Sequence, residues 1–416
     1  MVVTVIGLGF VGLTTALGFA ENGHKVYGIE VDKEKLSAIK NLQLPFYEPD
    51  LEKALKRHSG NNFLACSNIE DAVSKSDFIY YCVGTPFGLK GEADLSDLYN
   101  AILQTIPFLS KSKFQVLVIK STIPPATTKT KIIPLIEEKG VKVGEHLGIA
   151  NNPEFLREGH CWEDFIHSDR IILGVSDEET AQMLKELYSY VKCPIHMVSL
   201  NTAEFIKYLS NTSLALLISY ANEMSMAADA IGDINIADAF HILHEDKRWS
   251  TGTIRSYFYP GCGYGGYCLP KDTNAFYTSI KDKGFDAQIL KNVITTNDLI
   301  LNFTIERIQN ICNNKTDTVI GILGLSFKPE SNDVRDTPAA KIINKLNQSG
   351  YNKIIAYDPE ATQQFKQKYD FKIEYESNID SVITKSNILV IVTAWSEFKD
   401  IKSKTNKPII DCRYML

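Results

Sequence analysis

The sequence lacks the features that mark several specialised classes of protein. No apolar run reaches the roughly 18 residues that a membrane-spanning helix needs, and the first residues carry no basic segment, so we expect neither a membrane span nor a signal peptide. Acidic residues outnumber basic ones, 50 to 44, and the formal net charge is −6. Because nucleic-acid-binding domains are usually basic, this balance argues against nucleic acid as the main partner.

The eight cysteines are scattered along the chain and form no CxxC pair. This spacing favours neither a disulfide framework nor a zinc site, so we expect no metal and a reducing, cytoplasmic environment. Most of these cysteines are expected to be small buried apolar residues. Cys268 differs from the others because of the residues around it.

Short apolar runs that end at turn residues alternate with helical stretches in the first half of the chain. A β-branched run at 2–6 ends in glycine and predicts a buried parallel strand, which a helix at 13–21 follows. Further strands are predicted at 25–30, 78–83, 115–119, 147–150 and 170–175. Strands that alternate with helices indicate a doubly wound α/β domain, which we place at residues 1–195.

The middle of the chain is helical in pattern. Residues 202–231 contain few helix breakers and predict one long helix, with more helix at 236–243 and 281–310. Apolar residues lie all round the long helix, so we expect it to pack on several sides, join two domains and supply a dimer interface. This helical domain is placed at residues 196–310.

A second alternation of strands and helices begins near residue 318. Strands are predicted at 318–325, 353–357, 388–393 and 408–411, with a helix at 341–346. Gly321 and Gly324 do not fit a GxGxxG pattern, so no dinucleotide is assigned here. The predicted fold class is therefore α/β, with two Rossmann-like doubly wound domains, 1–195 and 311–416, joined by a long central helix and a helical middle domain.

A dinucleotide fingerprint, Gly7-Leu8-Gly9-Phe10-Val11-Gly12, follows the first strand and opens the first helix. In this context the three glycines serve the tight turn, the close approach of pyrophosphate and helix–strand packing. Glu30 ends the second strand, where an acid accepts hydrogen bonds from the adenosine ribose and repels a 2′-phosphate; Asp32 is the competing candidate. The pattern favours NAD over NADP. Val83-Gly84-Thr85 follows a later strand and is expected to contact the cofactor.

The glycine-dense run at 260–272 places Cys268 four residues before Asp272. A thiol in such a position can attack a carbonyl and form a covalent intermediate. Lys207 and Asn211 are four residues apart on the predicted long helix and therefore share a face. Two carboxylates lie in Asn152-Pro153-Glu154-Phe155-Leu156-Arg157-Glu158-Gly159, after a predicted strand. Each residue alone has an ordinary structural explanation, but the combination is unusual.

Taken together, these motifs resemble the UDP-glucose/GDP-mannose dehydrogenase family over almost the whole chain, from residue 5 to the C-terminus. The matching stretches, in family order, are residues 7–12, Ser121-Thr122, 152–159, Lys207 with Asn211, Gly265-Gly266-Tyr267-Cys268-Leu269-Pro270-Lys271-Asp272 and Gly324-Leu325-Ser326-Phe327-Lys328. The resemblance implies oxidation of the 6-hydroxymethyl group of a nucleotide sugar to a carboxylate with two NAD⁺. The closest branch acts on UDP-glucose and forms UDP-glucuronate.

The resemblance also implies roles for the candidate catalytic residues. Lys207 stabilises the developing alkoxide with Asn211 beside it, and Asp272 holds a water or the lysine. Cys268 captures the aldehyde as a thiohemiacetal, which a second hydride transfer converts to a thioester. Glu154 is the candidate base for hydrolysis, and Thr122 positions the water. The catalytic residues are thus Cys268, Lys207, Asn211, Asp272, Glu154 and Thr122.

The implied binding residues fall into two sets. Those on the cofactor side are Gly7, Gly9, Phe10, Val11, Gly12, Glu30, Lys35, Val83, Gly84, Thr85, Thr122, Glu158 and Arg335. Those on the substrate side are Glu154, Phe155, Leu156, Arg157, Lys207, Asn211, Arg248, Arg255, Tyr257, Tyr259, Gly265, Leu269, Phe327, Lys328 and Arg413. The resemblance implies that either Arg248 or Arg255 reaches the substrate of a partner subunit, and the segment 249–260 is longer than is usual in the family. Arg335 has an alternative role as a solvated arginine paired with Asp333 or Asp336.

Other functions remain open at this stage. A sister enzyme acting on GDP-mannose shares the Pro270-Lys271-Asp272 tail, whereas the UDP-N-acetylhexosamine branch carries different residues there. An inactive NAD-binding regulatory protein is disfavoured by the retained Cys268 and Lys207, and a simple β-hydroxyacid dehydrogenase needs no second α/β domain. The expected partners are UDP-glucose or a related nucleotide sugar and further copies of the chain, as a homodimer or higher oligomer, without nucleic acid or membrane.

Overall fold

The computed structural model describes residues 1–249 and 254–416, which form two compact units, Met1–Leu209 and Ser210–Leu416. Part of the long segment before the glycine-dense run, residues 250–253, lies outside the described residues. Among the helices of the described ranges, none combines the length and apolar character that crossing a membrane requires.

The first unit is built on an eight-stranded sheet with the order β3-β2-β1-β4-β5-β6-β7-β8. Its strands are β1 Val2–Ile6, β2 Lys25–Ile29, β3 Phe63–Cys66, β4 Phe78–Tyr81, β5 Gln115–Ile119, β6 Leu147–Asn151, β7 Ile171–Val175 and β8 Ile195–Val198. All neighbouring strands pair in parallel except β6 and β7, which are antiparallel. The chain order reverses between β1 and β4, which leaves a crevice at the carboxyl ends of these strands.

The inner strands β1, β4, β5 and β6 are buried on both faces, which explains why they are mostly apolar. Side chains alternate between two cores: Val3 and Val5 lie in one with Phe78 and Tyr80, and Ile6 and Tyr81 lie in the other. The covering helices are α1 Phe10–Glu21, α2 Lys33–Lys40, α3 Leu51–His58, α4 Ile69–Lys75, α5 Ser96–Thr105, α6 Ile133–Glu137, α7 Cys161–Ile166 and α8 Glu178–Leu187.

The second unit contains a five-stranded parallel sheet with the order β11-β10-β9-β12-β13. Its strands are β9 Ile320–Leu323, β10 Ile354–Tyr357, β11 Glu374–Tyr375, β12 Ile388–Ile391 and β13 Ile409–Asp411. The first five positions of the larger sheet follow the same order, so the two sheets share one winding plan. Helices α14 Pro338–Gln348, α15 Thr362–Lys368, α16 Ile379–Lys385 and α17 Ile401–Lys404 belong to this part of the chain.

The helical middle begins with α9 Leu200–Ile231, a single helix of 32 residues. It continues with α10 Ile236–Leu243, α11 Ile254–Tyr257, α12 Cys268–Lys281 and α13 Gln288–Ile311. The predicted long helix is confirmed and starts two residues earlier than expected. The helix predicted at 281–310 is confirmed from residue 288 onward and starts later than expected, because a turn with Gly284 at φ +87° separates α12 from α13.

The α/β fold class, with its two Rossmann-like parallel sheets and helical middle region, is confirmed. The predicted strand at 115–119 and helix at 236–243 match the structure residue for residue. Three strands were not predicted: β3, β8 and the two-residue β11. Cys268 lies not in the glycine-dense loop itself but at the first position of α12, because the chain turns into a helix directly after Tyr267.

Candidate active site

The glycines of the fingerprint turn in the first unit are needed for two different reasons. At Gly12 a Cβ would lie 1.7 Å from the Gly7 carbonyl oxygen, and at Gly7, with φ +88°, it would lie 2.9 Å from the Cys82 oxygen. Packing of the chain itself therefore requires both glycines. At Gly9 the backbone is extended, and a Cβ there would have no described heavy atom within 4 Å. The open space at Gly9 is what close approach of a pyrophosphate needs.

The start of α1 and the end of β2 complete the dinucleotide geometry. Among the described residues no side chain caps α1, which leaves its N-terminal dipole facing the turn. Glu30 is buried, and its carboxylate accepts hydrogen bonds from the backbone N–H groups of Leu8 and Asp32, each at 2.9 Å. Asp32 instead caps α2 by accepting from the N–H groups of Glu34 and Lys35. The predicted ribose acid and its competitor thus have distinct positions, and the residues fit NAD.

Loops that follow β4 and β5 are tied together at the carboxyl edge of the sheet. The Ser121 hydroxyl donates to the Val83 carbonyl oxygen at 2.8 Å, and the Thr85 hydroxyl donates to the Thr122 carbonyl oxygen at 3.0 Å. These two bonds fix the loop that carries Val83 and Thr85 against the loop that carries Thr122. Gly84 is exposed between them, and Lys35 lies on α2 in an exposed ion pair with Asp32.

Glu154 and Lys207, 53 residues apart in sequence, form a buried ion pair. The Lys207 Nζ donates to Glu154 Oε1 at 2.8 Å, and the Leu156 N–H donates to Glu154 Oε2 at 2.6 Å. Burial opposes ionisation of Glu154, but the charge and hydrogen bond of Lys207, the Leu156 N–H and the Lys120 charge together outweigh it, so the pKa of Glu154 lies below its usual value. The Phe155 ring lies under two cations, with Lys207 Nζ at 5.3 Å and the Arg170 guanidinium at 4.5 Å from its centroid.

A carboxylate that the sequence did not single out holds the loop after Glu154. Glu48 is buried and accepts hydrogen bonds from the N–H groups of Gly159 at 2.8 Å and Cys161 at 2.6 Å. Arg157, on the same loop, forms an ion pair with Asp164 of α7 at 2.6 Å. Leu156 and Glu158 are half-buried on it. Arg157 therefore has a structural bond in addition to its predicted contact with substrate.

In the second unit Cys268 is exposed at the first position of α12, and a buried polar cluster lies one turn further on. Lys271 Nζ donates to Asp272 Oδ1 at 2.5 Å, and Asn211 Nδ2 donates to Asp272 Oδ2 at 2.6 Å. Burial would lower the pKa of Lys271, but the Asp272 carboxylate outweighs burial and raises it. The Lys271 charge and the N-terminal end of α12 both favour the thiolate of Cys268.

The glycine-dense loop is shaped by protein contacts at several positions. A Cβ on Gly265 would lie 2.5 Å from the Asp336 carbonyl oxygen, and one on Gly266, with φ +78°, would lie 2.9 Å from the Phe327 ring. The Asn297 amide on α13 bonds both ways to the backbone of Tyr264, and Asn222 accepts from the Gly261 N–H. Phe327 therefore lies against the loop, and its substrate-side role stays a prediction.

The remaining predicted residues of the second unit are held by their own neighbours. The Tyr259 hydroxyl donates to the Tyr414 carbonyl oxygen, and the Arg413 guanidinium lies beside Gly261. Arg335 forms an ion pair with Asp333, which is the alternative role considered for it, and stacks on Tyr267 at 4.6 Å. Tyr257, Leu269 and Lys328 are half-buried.

The two candidate arginines from the segment before the loop are both exposed. Arg248 pairs with Asp246 at 2.5 Å, and Arg255 donates to the His244 carbonyl oxygen at 2.8 Å. Neither contact decides between them, and both stay predictions.

The residues that the sequence analysis missed share one property. Each hydrogen-bonds to backbone groups through its side chain, and none of them lies in a recognisable motif. Glu48, Asn222 and Asn297 are of this kind, and so is Glu204, which accepts from the N–H groups of Ala126 and Thr128. A buried acid or amide within an otherwise apolar stretch is the only signal that could have identified them. Within the described residues, no group of His, Cys, Asp and Glu is arranged to hold a metal ion.

Comparison with known proteins gives matches along almost the entire chain. Three domain profiles of the UDP-glucose/GDP-mannose dehydrogenase family match in order: the NAD binding domain at residues 1–192, the central domain at 201–299 and the UDP binding domain at 321–416. The UDP-glucose 6-dehydrogenase YwqF of Bacillus subtilis is 34% identical over 400 residues, which cover 96% of this chain and 89% of that protein.

Solved structures give the same picture. A UDP-glucose dehydrogenase from the hyperthermophilic archaeon Pyrobaculum islandicum superposes with a TM-score of 0.93 at 33% identity, covering 99% of this chain and 94% of that one. A UDP-D-ManNAc dehydrogenase from Pyrococcus horikoshii superposes with a TM-score of 0.88 at 27% identity, covering 100% and 96%. With all three domain profiles present in order, this chain belongs to the UDP-glucose/GDP-mannose dehydrogenase family of NAD-dependent oxidoreductases.

Proposed function

We propose that this chain is a UDP-glucose 6-dehydrogenase, which oxidises the 6-hydroxymethyl group of UDP-glucose to a carboxylate in two NAD-dependent steps. The observation that carries the proposal is the exposed Cys268 at the start of α12, one turn before the buried Lys271 and Asp272, with Asn211 of α9 bonded to Asp272. An exposed thiol stabilised as thiolate is the group that retains an aldehyde between two oxidations. Bound NAD⁺ supplies the hydride acceptor for each of them.

The first step removes a proton and a hydride from the primary alcohol. Lys207 is buried and positively charged in its pair with Glu154, so it can stabilise the oxygen as negative charge develops there. Asn211 is one helical turn further along α9, and its amide is oriented by Asp272. The geometry thus supports Lys207 and Asn211 as the oxyanion-stabilising groups.

The second step and the hydrolysis use the thiol and a base. The Cys268 sulfur adds to the aldehyde carbon to give a thiohemiacetal, and loss of a hydride to NAD⁺ and of the hydroxyl proton gives a thioester. Water then cleaves the carbon–sulfur bond, which releases the carboxylic acid and the thiol. Glu154 is ionised because of Lys207 and can accept the proton of that water. Thr122, fixed through its carbonyl by Thr85, is the proposed residue that positions the water.

The binding roles follow the division of the chain proposed from its sequence. We propose that residues 1–195 bind NAD through the fingerprint turn and Glu30, that residues 196–310 carry the Cys268 site and the dimer contact, and that residues 311–416 bind the UDP part through Phe327, Lys328 and Arg413. The other cofactor-side and substrate-side residues named from the sequence keep those roles as proposals, as does a cytoplasmic location.

We further propose a homodimer formed through α9. Phe205, Leu209, Leu216 and Tyr220 are each 40–50% exposed, and their spacings of four, seven and four residues place them along one side of the helix. An exposed apolar stripe of this kind is typical of a protein–protein interface. A partner subunit would also supply Arg248 or Arg255 to the substrate.

The decisive experiment is the yield of NADH for each UDP-glucose consumed. Two equivalents, with UDP-glucuronate as the product, are expected. One equivalent with free aldehyde, or no turnover, would contradict the proposal. The same assay with GDP-mannose and with UDP-N-acetylhexosamines tests the sister activities, and faster oxidation of either would replace UDP-glucose as the substrate.

The covalent role of sulfur is tested by Cys268→Ser. We expect acid formation to fall by roughly a thousandfold or more, because the hydroxyl is a far weaker nucleophile at neutral pH, while NAD⁺ binding by calorimetry is unchanged. Cys193→Ser, which changes another partly exposed cysteine, is the matched control and should retain activity. Full turnover by the Cys268 variant would remove sulfur from the mechanism.

A further inference from the structure

A second lysine, Lys120, lies in the same part of the first unit as the Glu154–Lys207 pair and has no role in the chemistry above. It follows β5 directly, two residues before Thr122, and only 5% of it is exposed. Within the described ranges it belongs to none of the ion pairs. An ammonium group removed from water without a directly bonded carboxylate is unfavourable unless nearby groups compensate it, so its position calls for an explanation.

Both hydrogen bonds of the Lys120 ammonium group lead to Asn152, the residue that begins the Glu154 turn. Its Nζ donates to the side-chain oxygen of Asn152 at 3.0 Å and lies 3.4 Å from the Asn152 carbonyl oxygen. Tyr188 donates its hydroxyl to the same Asn152 side-chain oxygen at 2.6 Å. Asn152 in turn donates its amide to the Ile172 carbonyl oxygen at 3.0 Å. Two donors of different charge, Lys120 and Tyr188, thus hold one acceptor two residues before Glu154.

The charges and titratable groups that face Glu154 come from four elements. Lys207 lies on α9, Lys120 follows β5, Cys82 follows β4, and Cys161 begins α7. Burial raises the pKa of Cys82 to about 12 and also raises that of Cys161, so both thiols are neutral near pH 7. The positive charge that keeps Glu154 ionised therefore comes from the two lysines.

The pKa of Lys120 is lowered, and both Glu154 and Lys207 affect it. Burial lowers the pKa of Lys120 and the Lys207 charge acts in the same direction, whereas Glu154 acts against both. Lys120, Lys207 and Glu154 thus form one buried set, in which a single carboxylate interacts with two ammonium groups. Removal of either cation should therefore make ionisation of Glu154 less favourable.

We propose that Lys120 is a positioning residue for thioester hydrolysis: from behind Asn152 it holds the turn that carries Glu154 and keeps positive charge beside that carboxylate. This inference rests on the proposed function, because it assumes that Glu154 is the base of the last step. Lys120 acts through Asn152 and Glu154 and does not itself touch the sugar.

The test compares Lys120→Met with Tyr188→Phe. Both variants remove one donor from the Asn152 side-chain oxygen, but only the first removes a charge. The measurement is the single-turnover rate of loss of the Cys268 acyl adduct, followed by mass spectrometry between about pH 5.5 and pH 9. For Lys120→Met we expect a loss of roughly twofold or more at about pH 5.5 that shrinks toward pH 9, with the KM for UDP-glucose little changed. Tyr188→Phe should keep the wild-type shape of the profile.

Two results would overturn the inference. One is a Lys120→Met profile that is lowered equally at every pH, and the other is the same displacement in Tyr188→Phe, since either would make the effect structural. If Lys120→Met does not fold, Lys120→Gln replaces it, because Gln retains a neutral donor toward Asn152. The displaced profile is expected from that variant as well.

A stability measurement separates failure of the inference from failure of the proposed function. In a thermal double-mutant cycle of Lys120→Met and Glu154→Gln, we expect the loss caused by Lys120→Met to be smaller when Glu154 is already neutral. This result needs no substrate. Additive effects would contradict the coupling of Lys120 to Glu154, whereas wild-type protein that yields no NADH from UDP-glucose would contradict the proposed function alone.

Discussion

Ala126 shows how a single residue can be strained beside the proposed site. It has φ +76°, in the left-handed region that a residue with a Cβ adopts only at a cost of about 1 kcal/mol. Its N–H donates to Glu204 Oε2 at 2.6 Å, and the N–H of Thr128 donates to Glu204 Oε1 at 2.9 Å. Glu204 is one helical turn before Lys207 on α9, so the strained turn is anchored to the helix that carries Lys207.

Substitution of this alanine by glycine should stabilise the protein. We expect Ala126→Gly to raise the midpoint of thermal unfolding by about 1–2 °C, because relief of the left-handed strain exceeds the extra freedom of glycine in the unfolded chain. Ala181→Gly, inside helix α8, is the control and should lower the midpoint, since glycine is unfavourable there by about 1 kcal/mol. A lower midpoint for Ala126→Gly would show that the turn is not strained.

At the scale of elements, each sheet has an acidic residue directly after its second strand in chain order, but the two carboxylates have different hydrogen-bond partners. Glu30 follows β2 and accepts from two described backbone donors, the N–H groups of Leu8 and Asp32. Asp358 follows β10, and its carboxylate accepts from the N–H groups of Leu325, Ser326, Glu360 and Ala361, the Ser326 hydroxyl and the Trp395 indole. A carboxylate has about four acceptor positions. The acceptor positions of Asp358 are therefore all taken by protein donors, whereas Glu30 retains acceptor positions for the hydroxyl groups of a ribose.

The two acids should respond differently to the same chemical change. Glu30→Gln is expected to weaken NAD⁺ binding roughly tenfold or more, through loss of charge-assisted bonds to the ribose. Asp358→Asn should leave NAD⁺ affinity unchanged and destabilise the fold by about 2–4 kcal/mol, because its amide group would face donors. Calorimetric NAD⁺ titration and thermal unfolding measure these effects. Equal losses of affinity in both variants would contradict the distinction.

Local patterns explain why most of the fold could be predicted from sequence. The continuous β-branched runs of β1 and β5 and the breaker-free stretch of α9 identify these elements by themselves. The strand β3, with the sequence Phe63-Leu64-Ala65-Cys66, has no such pattern and becomes a strand only through its pairing with β2. The antiparallel direction of β7 likewise depends on contacts far apart in sequence.

In the candidate site, too, some residues could be proposed from local sequence patterns and others depend on contacts between distant parts of the chain. Residues proposed to carry chemistry, such as Cys268 and Glu30, lie in motifs with fixed spacing and could be proposed from the sequence alone. The Glu154–Lys207 ion pair joins residues 53 apart in sequence, and Glu48 holds a loop 111 residues away at Gly159. No spacing rule links such pairs, because only the folded chain brings them together.

At the scale of the whole molecule, the exposed stripe on α9 predicts the oligomeric state. We expect light scattering to give about twice the chain mass of 46.6 kDa for the wild type. Leu216→Glu should shift the protein toward monomers, because it places a charge within the apolar stripe. Leu64→Glu is the matched control, since Leu64 is 49% exposed on β3 and lies outside the stripe. A monomeric wild type, or equal behaviour of both variants, would contradict the dimer.

Stability of the whole molecule should depend on pH through two buried glutamates with opposite signs. The folded pKa of Glu154 is below the usual 4.5, since Lys207, the Leu156 N–H and Lys120 together outweigh burial, so its stabilisation is present above pH 4.5 and is lost as the pH falls below it. Burial raises the folded pKa of Glu204 above 4.5 despite its hydrogen bonds from Thr128, so its stabilisation is present below pH 4.5 and is lost as the pH rises through the folded pKa.

Thermal midpoints of the wild type, Glu154→Gln and Glu204→Gln between about pH 3.5 and pH 8 test these signs, since all other groups titrate alike and cancel in the differences. The advantage of the wild type over Glu154→Gln should shrink as the pH falls below 4.5. Its advantage over Glu204→Gln should instead shrink as the pH rises above 4.5. The two difference curves must slope in opposite directions, and parallel curves would mean that Lys207 does not hold Glu154 in its charged form.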